Sequence, residues 1–328
     1  MLVNAKAARN IPGRKTDVAD AAWLAQLAAH GLLRASFVPP EPIRELRDLT
    51  RARAIAVQDR TREIHRLEKF LEGSGIKLSS VVSNLTGVSS RAMLEALVGG
   101  ERDPEVLAEY AQKSMRSKIP ELVEALTGRF GEHQAFMVRV HLDQIDHHTS
   151  AITAYTGRIE MAMAPFRAAR EALITIPGVS ILVADVIIAE TGADMNIFPT
   201  SAHLASWAGV CPGSNESAGH IKSTRTRPGN NYLKAALGTT ALTAARLKDT
   251  YLSQKYRRIA ARRGPKKALV AIERVILTAT WNMLANGEIY TDPGPDYYLR
   301  RDPDKARNRA VRQLKTLGYD VSLTPASA

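Results

Sequence analysis

A serine flanked by an acid, two small residues and a histidine, Glu216-Ser217-Ala218-Gly219-His220, closes a polar, glycine-rich stretch that begins at Ala208-Gly209. A serine hydroxyl attacks a phosphate or acyl centre only where a base or a strong field activates it. Glu216 and His220 are the local groups able to take its proton. Lys222, Arg225 and Arg227 follow within ten residues and would offset charge building on an attacked phosphate. The same residues also suit a plain turn, a common use of Ser and Gly in loops. A second pair, Asp17 and Asp20, stands at i and i+3 behind Thr16, a residue suited to cap a helix, so both carboxylates project to one side. Such a pair can share a divalent cation, and two-metal nucleases gather several carboxylates. Acids in a first turn equally complement the helix dipole. A third group, His141, Asp143, Asp146, His147 and His148, has metal-binding residue types, but on a helix Asp143 and His147 form an ordinary i, i+4 surface pair.

The charge around these residues is uneven. The chain of 328 residues has 45 Lys and Arg against 33 Asp and Glu, a net charge of +12. From Ser217 to Ile272 there are 13 basic residues and a single acid, Asp249, so the 32 basic and 32 acidic residues elsewhere balance. Basic helix faces that serve only solubility interleave acids at i+4. Their absence here points to a polyanionic partner held through Lys222, Arg225, Arg227, Lys234, Arg257, Arg258, Arg262, Arg263, Lys266 and Lys267. Cys211 is the only cysteine, which excludes an internal disulfide framework or a Cys-based zinc site and fits a reducing, cytoplasmic setting. The longest apolar run, Ile176 to Ala189, contains Asp185 and is too short for a span. Lys6, Arg9, Arg14 and Lys15 interrupt the first 15 residues, so neither membrane insertion nor a secretory signal is expected.

The elements that must position these groups are mainly α-helical. A helix is predicted from Asp17 to about Arg34, followed by Pro39, Pro40 and Pro42. A long one spans Ile43 to Glu72, with Ile43, Leu46, Thr50, Val57, Ile64, Leu67 and Leu71 at heptad-like spacing and Gly73-Ser74-Gly75 as its stop. Arg53 and Arg60 interrupt that stripe and need acids, phosphates or other partners. Short helices broken by Gly and Pro fill residues 76 to 131. A second long helix is predicted from Glu132 to about Ala172, kinked by Pro165. The two long helices suggest an arm or a dimer interface. Ile176-Pro177-Gly178-Val179-Ser180 then precedes an apolar helix to Glu190. A tight Pro-Gly turn there would resemble half of a helix-hairpin-helix phosphate clamp, and would read the same before any buried helix.

Four blocks in one order carry a resemblance. They are Gly13-Arg14-Lys15-Thr16-Asp17-Val18-Ala19-Asp20-Ala21-Ala22-Trp23-Leu24-Ala25, Ile176-Pro177-Gly178-Val179, Ala208-Gly209 through Ser217-Ala218-Gly219, and Gly229-Asn230-Asn231-Tyr232-Leu233-Lys234. Together they are similar to bacterial insertion-sequence transposases that join an N-terminal RuvC-like DEDD domain to a C-terminal serine domain and are guided by a structured bridge RNA. The tail from Asp296-Tyr297-Tyr298 onward is similar to that family's C-terminus. The resemblance implies a remnant of the RuvC-like α/β domain at 1–38, a helical, coiled-coil-like region at 39–172, a mostly helical serine domain at 173–290 and a basic tail at 291–328.

It further implies that Ser217 attacks DNA and forms a transient phosphoserine link, and that Asp17 and Asp20 are the last two acids of the DEDD set, holding Mg²⁺. The expected partners are the DNA of element ends and target, the guide RNA and further copies of the chain, in a nucleoid-associated setting. Family members place the first Asp and the Glu on strands well upstream of the paired aspartates. Only 16 residues precede Asp17, too few for several strands at about 3.3 Å per residue, so an N-terminally truncated chain is expected. Two functional readings follow: a transposase that cuts and rejoins strands by serine attack with metal-bound carboxylates, or a catalytically defective nucleic-acid-binding remnant of one.

Overall fold

The computed structural model describes residues 3, 17–33, 38–213 and 215–324, with side chains left outside that description at 17–20, 215–217 and 221. The described chain is almost wholly helical and divides into two compact units, residues 1–47 with 165–328, and residues 48–164.

The second unit is built on the two long helices foreseen from periodicity. Helix α1 covers Asp17–Ala29 in the first unit. Helix α2, Glu41–Gly73, begins in that unit and continues into the other. Its stripe delivers Leu67 and Leu71 to a core with Leu78, Met93, Leu94, Leu97, Leu107, Leu122, Val138, Leu142 and Ile145. These come from α3 (Val88–Val98), α4 (Pro104–Ala108), α5 (Ile119–Leu126) and α6 (Glu132–Ala162), besides a short 3-10 turn at Leu78–Ser80. Helix α6 ends ten residues earlier than its periodicity suggests. Pro165 lacks an amide proton and would clash with the preceding turn, so the chain passes through a 3-10 turn, Ala164–Phe166, into a separate helix α7, Arg167–Leu173.

Several polar side chains of this unit pair internally. Arg53 in the α2 stripe donates to the Thr156 hydroxyl at 2.8 Å, whereas the Nε of Arg60 is buried without a partner. Asp143 lies 3.8 Å from Arg139 rather than against His147. Asp146 receives two bonds from Arg91, and His141 Nδ1 is 2.6 Å from the Glu63 carboxylate. His141, Asp143 and Asp146 are thus engaged with neighbours, and no group of three or more His, Cys, Asp or Glu able to hold a metal occurs among the described residues. Burial acts to raise the Glu63 carboxyl, but hydrogen bonds from His141 and Arg66 outweigh it and hold the group below its ordinary range.

The first unit packs α8 (Ile181–Thr191), α9 (Ser201–Trp207), α10 (Asn231–Arg246), α11 (Tyr251–Arg263) and α12 (Pro265–Asn286) around Ile187, Ile188, Leu204, Leu237, Leu252, Ile272, Ile276 and Leu277. Helix α12 is long and apolar enough to cross a membrane by length and composition. Here it is the central strut, packed against α9, α10 and α11. Gly264 at φ +84 ends α11, and Pro265 opens α12, the usual placement of Gly after and Pro at the start of a helix.

Gly178, the centre of the supposed phosphate clamp, has φ +91, and a Cβ there would lie 2.9 Å from the Thr240 carbonyl and 3.0 Å from the Ala244 nitrogen. Its glycine is explained by close approach to the α10 backbone. Ser180 caps α8, accepting from the Val183 amide, and Asp185 within that apolar helix accepts two bonds from Arg170 at 2.7 and 2.8 Å.

Candidate functional site

The glycine-rich stretch forms an extended ribbon projecting from helices. Strand β1, Asn215–Ser217, pairs antiparallel with β2, His220–Ser223, with Ser217 opposite His220, Glu216 opposite Ile221 and a bulge between Asn215 and Glu216. Further down, Pro212 bridges to Thr226, and the Gly213 amide donates to the Arg225 carbonyl at 2.9 Å. The two residues of the turn, Ala218 and Gly219, have φ of +51 and +77. A two-residue hairpin loop with both φ values positive matches the right-handed strand twist and belongs to the primed turn class. Ser217 therefore sits beside the very tip of the ribbon, a position that spacing alone left as an ordinary loop.

The turn carries a local cost, because a left-handed conformation is unfavourable for a residue with a Cβ by about 1 kcal/mol. Ala218→Asn, which tolerates that region, is expected to raise protection of the Gly213 amide in hydrogen exchange by up to about fivefold, the equivalent of about 1 kcal/mol. Ala218→Val is expected to lower protection. Equal protection in all three chains would show that the tip does not govern the ribbon.

The root of the ribbon is held tightly. A Cβ on Gly229 would meet the Ala208 carbonyl oxygen at 2.2 Å and the Gly209 nitrogen at 2.6 Å, so the two ends of the ribbon touch backbone to backbone. Asn230, next in the chain, caps α10 by accepting from the Leu233 amide at 3.0 Å. Its Nδ2 donates to Glu190 at 2.5 Å. The Glu190 side chain is fully buried and lies 3.3 Å from Arg47 Nε; Arg47 also donates to the carbonyls of Ala189 and Glu190 at 3.1 and 2.8 Å. Arg47, Glu190 and Asn230 were not foreseen. The signals were present, however: an acid ending an apolar helix, and an Asn directly before a predicted one.

The foreseen residues fall into separate groups. The side chains of Glu216 and Ser217 lie outside the described residues. His220, Lys222, Arg225 and Arg227 are exposed along the ribbon. Lys234, on α10, is half-buried beside Glu273 of α12. Burial raises the Glu273 carboxyl above its ordinary range, and the Lys234 charge offsets this only in part. Arg257, Arg258 and Arg262 line one side of a groove on α11. Arg263, Lys266 and Lys267 surround the Gly264 turn, all exposed. Asp17 and Asp20 occupy the first turn of α1, their side chains lying outside the described residues.

Glu273 allows a direct test. A carboxyl whose folded pKa is raised costs stability as pH climbs from its ordinary value of 4.5 toward the raised one, because the folded state then binds more protons than the unfolded state. Glu273→Gln is expected to raise the melting temperature at pH 7, and the gain should shrink as pH falls below 4.5. A variant that melts lower at pH 7 and regains stability in acid would reverse the sign of this assignment.

The fold and its charge define a class: a helical protein that presents a cationic surface and a serine-tipped ribbon, suited to handling nucleic acid. The Transposase IS116/IS110/IS902 family profile matches residues 170–257, which include α8, the ribbon and α10, and a DEDD transposase profile of the IS110 type matches residues 1–76. The chain is 31% identical over 124 residues to the insertion element IS110 uncharacterized 43.6 kDa protein of Streptomyces coelicolor, covering 38% of this chain and 30% of that protein. It is 27% identical over 303 residues to the insertion element IS900 uncharacterized 42 kDa protein of Mycobacterium paratuberculosis, covering 84% and 73%. The first of these alignments spans less than a third of the relative's length. Over these two regions, 1–76 and 170–257, and in these relatives, the chain is similar to transposases of the IS110/IS116/IS902 family.

Proposed function

We propose that this chain cuts and rejoins DNA strands at the ends and target of an insertion element, with Ser217 as the attacking group. The observation that carries the reading is the position of Ser217 at the tip of a rigidly rooted ribbon flanked by Lys222, Arg225 and Arg227. A tip residue can reach a phosphodiester without burying the ribbon's own unpaired backbone groups; Lys222, two positions from His220, is the cation nearest the charge that develops on phosphorus-bound oxygens, while Arg225 and Arg227, toward the root, would meet flanking phosphates. The Ser217 hydroxyl attacks phosphorus, its proton passes to a base for which Glu216 and His220 are the local candidates, and the 3′ or 5′ oxygen of the cut strand leaves with a proton. Reversal by that hydroxyl, or by one of another strand, restores the phosphodiester and frees the serine.

Asp17 and Asp20, one turn apart on α1, would supply carboxylate oxygens to Mg²⁺. When bound, that ion lends Lewis-acid stabilisation to charge on the phosphate. A structured guide RNA of the element is the proposed second nucleic-acid partner, sharing the cationic surface, and the nucleoid is the proposed place of work. Exposed Phe136 and Met161 on α6 and Ile55 on α2 support association between copies.

The test is to incubate the chain with Mg²⁺, element-end DNA and its structured RNA, denature, and map any covalent DNA adduct by mass spectrometry. An adduct on Ser217 is expected. One on Ser214, Ser223 or a tyrosine would overturn the assignment.

A further inference from the structure

Beyond the ribbon, the first unit contains a second cationic feature that lies almost wholly outside the matched family regions. Helices α13 (Tyr297–Arg301) and α14 (Pro303–Thr316) follow α12 and dock on α11 through aromatic rings. Tyr251 stacks against Tyr298 with centroids 5.9 Å apart and meets Tyr297 edge-on at 4.9 Å. The Arg258 guanidinium covers the Tyr298 ring at 4.5 Å. Asp292 accepts from the amides of Tyr251 and Gly294 at 3.0 and 2.7 Å, fixing the chain between α12 and α13. The docking leaves two cavities, of about 550 and 620 Å³, that share Arg258, Tyr298, Leu299 and Arg309 and so run together as one groove.

The chemistry of the groove is polarised. Arg257, Arg258 and Arg262 stand on the α11 side, and Arg301, Lys305 and Arg309 on the other. All six are exposed, and none takes part in an ion pair among the described residues. The two acids that line it are Asp296 and Asp302, and Asp302 is engaged in capping α14 by accepting from Lys305. Between the cationic walls lie the apolar or aromatic groups of Pro295, Tyr298, Leu299, Ala306 and Ala310. Cations along both rims of an apolar floor suit a single strand, whose phosphates meet the rims while its bases lie against Pro295, Leu299 and Ala306, the Tyr298 ring being already covered by Arg258 and Tyr251.

We infer that the groove between α11 and α14 is a binding channel for single-stranded nucleic acid, separate from the serine-tipped ribbon. The inference rests on the reading of the chain as a nucleic-acid-handling transposase and adds to it where an unpaired strand is held. Arg301, Lys305 and Arg309 belong to it and were not among the residues foreseen from the sequence.

The experiment compares the full chain with two triple variants of equal charge loss on the same helical tail: Arg301→Ala with Lys305→Ala and Arg309→Ala in the groove, and Arg307→Ala with Arg312→Ala and Lys315→Ala outside it. Anisotropy of labelled oligothymidylate is read across a salt series. The groove triple is expected to lose affinity at least tenfold at low salt and to flatten the log–log salt slope by about two, since each phosphate contact on a single strand contributes about 0.7. The outside triple is expected to change affinity less than threefold. Ultraviolet crosslinks from iodouracil-substituted strands should map to peptides of α11 and α14.

Equal losses in both triples, or an equal loss of duplex binding in the groove triple, would overturn the channel, as would competition by polyglutamate as effective as that by oligothymidylate. The Ser217 adduct separates the two claims. An unaltered binding profile in a groove triple that still forms the adduct sinks the channel alone, and a wild-type chain that forms no adduct while the groove triple loses strand binding sinks the serine assignment alone.

Discussion

Ser217→Ala is expected to bind element DNA and RNA within about twofold of the unaltered chain, and to reduce strand exchange by a factor on the order of 10⁴ or more, the scale on which removal of an attacking hydroxyl acts in serine enzymes. The asymmetry between binding and chemistry follows from placement. The substitution removes one oxygen beside the tip of a ribbon whose pairing is backbone to backbone, so the path of Lys222, Arg225 and Arg227 is untouched and the phosphate contacts proposed for them would be kept. The reaction has no second route if Ser217 supplies the bond to phosphorus. Gel assays of exchange run beside anisotropy of binding separate the two quantities. Exchange that persists at a tenth of the normal rate would assign the attack to another group, and a parallel loss of binding would make Ser217 a structural residue of the tip.

The helices were legible because their apolar residues recur with a helical period over many turns, as at Ile43, Leu46, Leu67 and Leu71, and because Gly73-Ser74-Gly75 and Pro165 act through local sterics that need no tertiary context. The excess of charge between Ser217 and Ile272 was equally plain, being a matter of counting. What distinguishes the members of that segment was not. Lys234 and Arg257 are both lysine or arginine in an acid-poor run, yet one faces buried Glu273 across two helices and the other lines a groove, a difference set by packing between elements distant in sequence.

The ribbon was hidden for a related reason. Its strands of three and four residues are too short for alternation to register, and its turn uses Ala218 where the hairpin signal is Asn or Asp before Gly. The turn before α8 shows how a local pattern and a distant contact can share one residue. Pro177-Gly178 resembles a phosphate clamp by local pattern, and its glycine also lies against the backbone of α10 more than 60 residues later, a contact no local pattern reveals.

The buried group at the ribbon's root provides the largest expected effect on stability. Glu190, fully buried, is shared between Arg47 and Asn230, and Arg47 comes from the start of α2. Removing one partner of a buried ion pair costs about 3–5 kcal/mol. Arg47→Ala is therefore expected to destabilise the chain by about that much in denaturant melts, because the carboxylate stays buried and the guanidinium's bonds to the Ala189 and Glu190 carbonyls are lost as well. Glu190→Gln keeps an acceptor for Asn230 and nearly the same shape, so it should cost about half as much or less.

In the double variant the buried carboxylate is gone. Its loss should fall short of the sum of the single losses by at least about 1 kcal/mol, outside the roughly 0.5 kcal/mol within which independent sites add. The same substitutions bear on the site through Asn230, whose side chain joins Glu190 to the first turn of α10 directly after the Gly229 contact. Exchange of the Gly213 amide should accelerate in Arg47→Ala beyond what global unfolding explains, and only weakly in Glu190→Gln. Strict additivity, with Gly213 exchange tracking global stability alone, would show the buried pair to be a general brace of the first unit with no particular hold on the ribbon that carries Ser217.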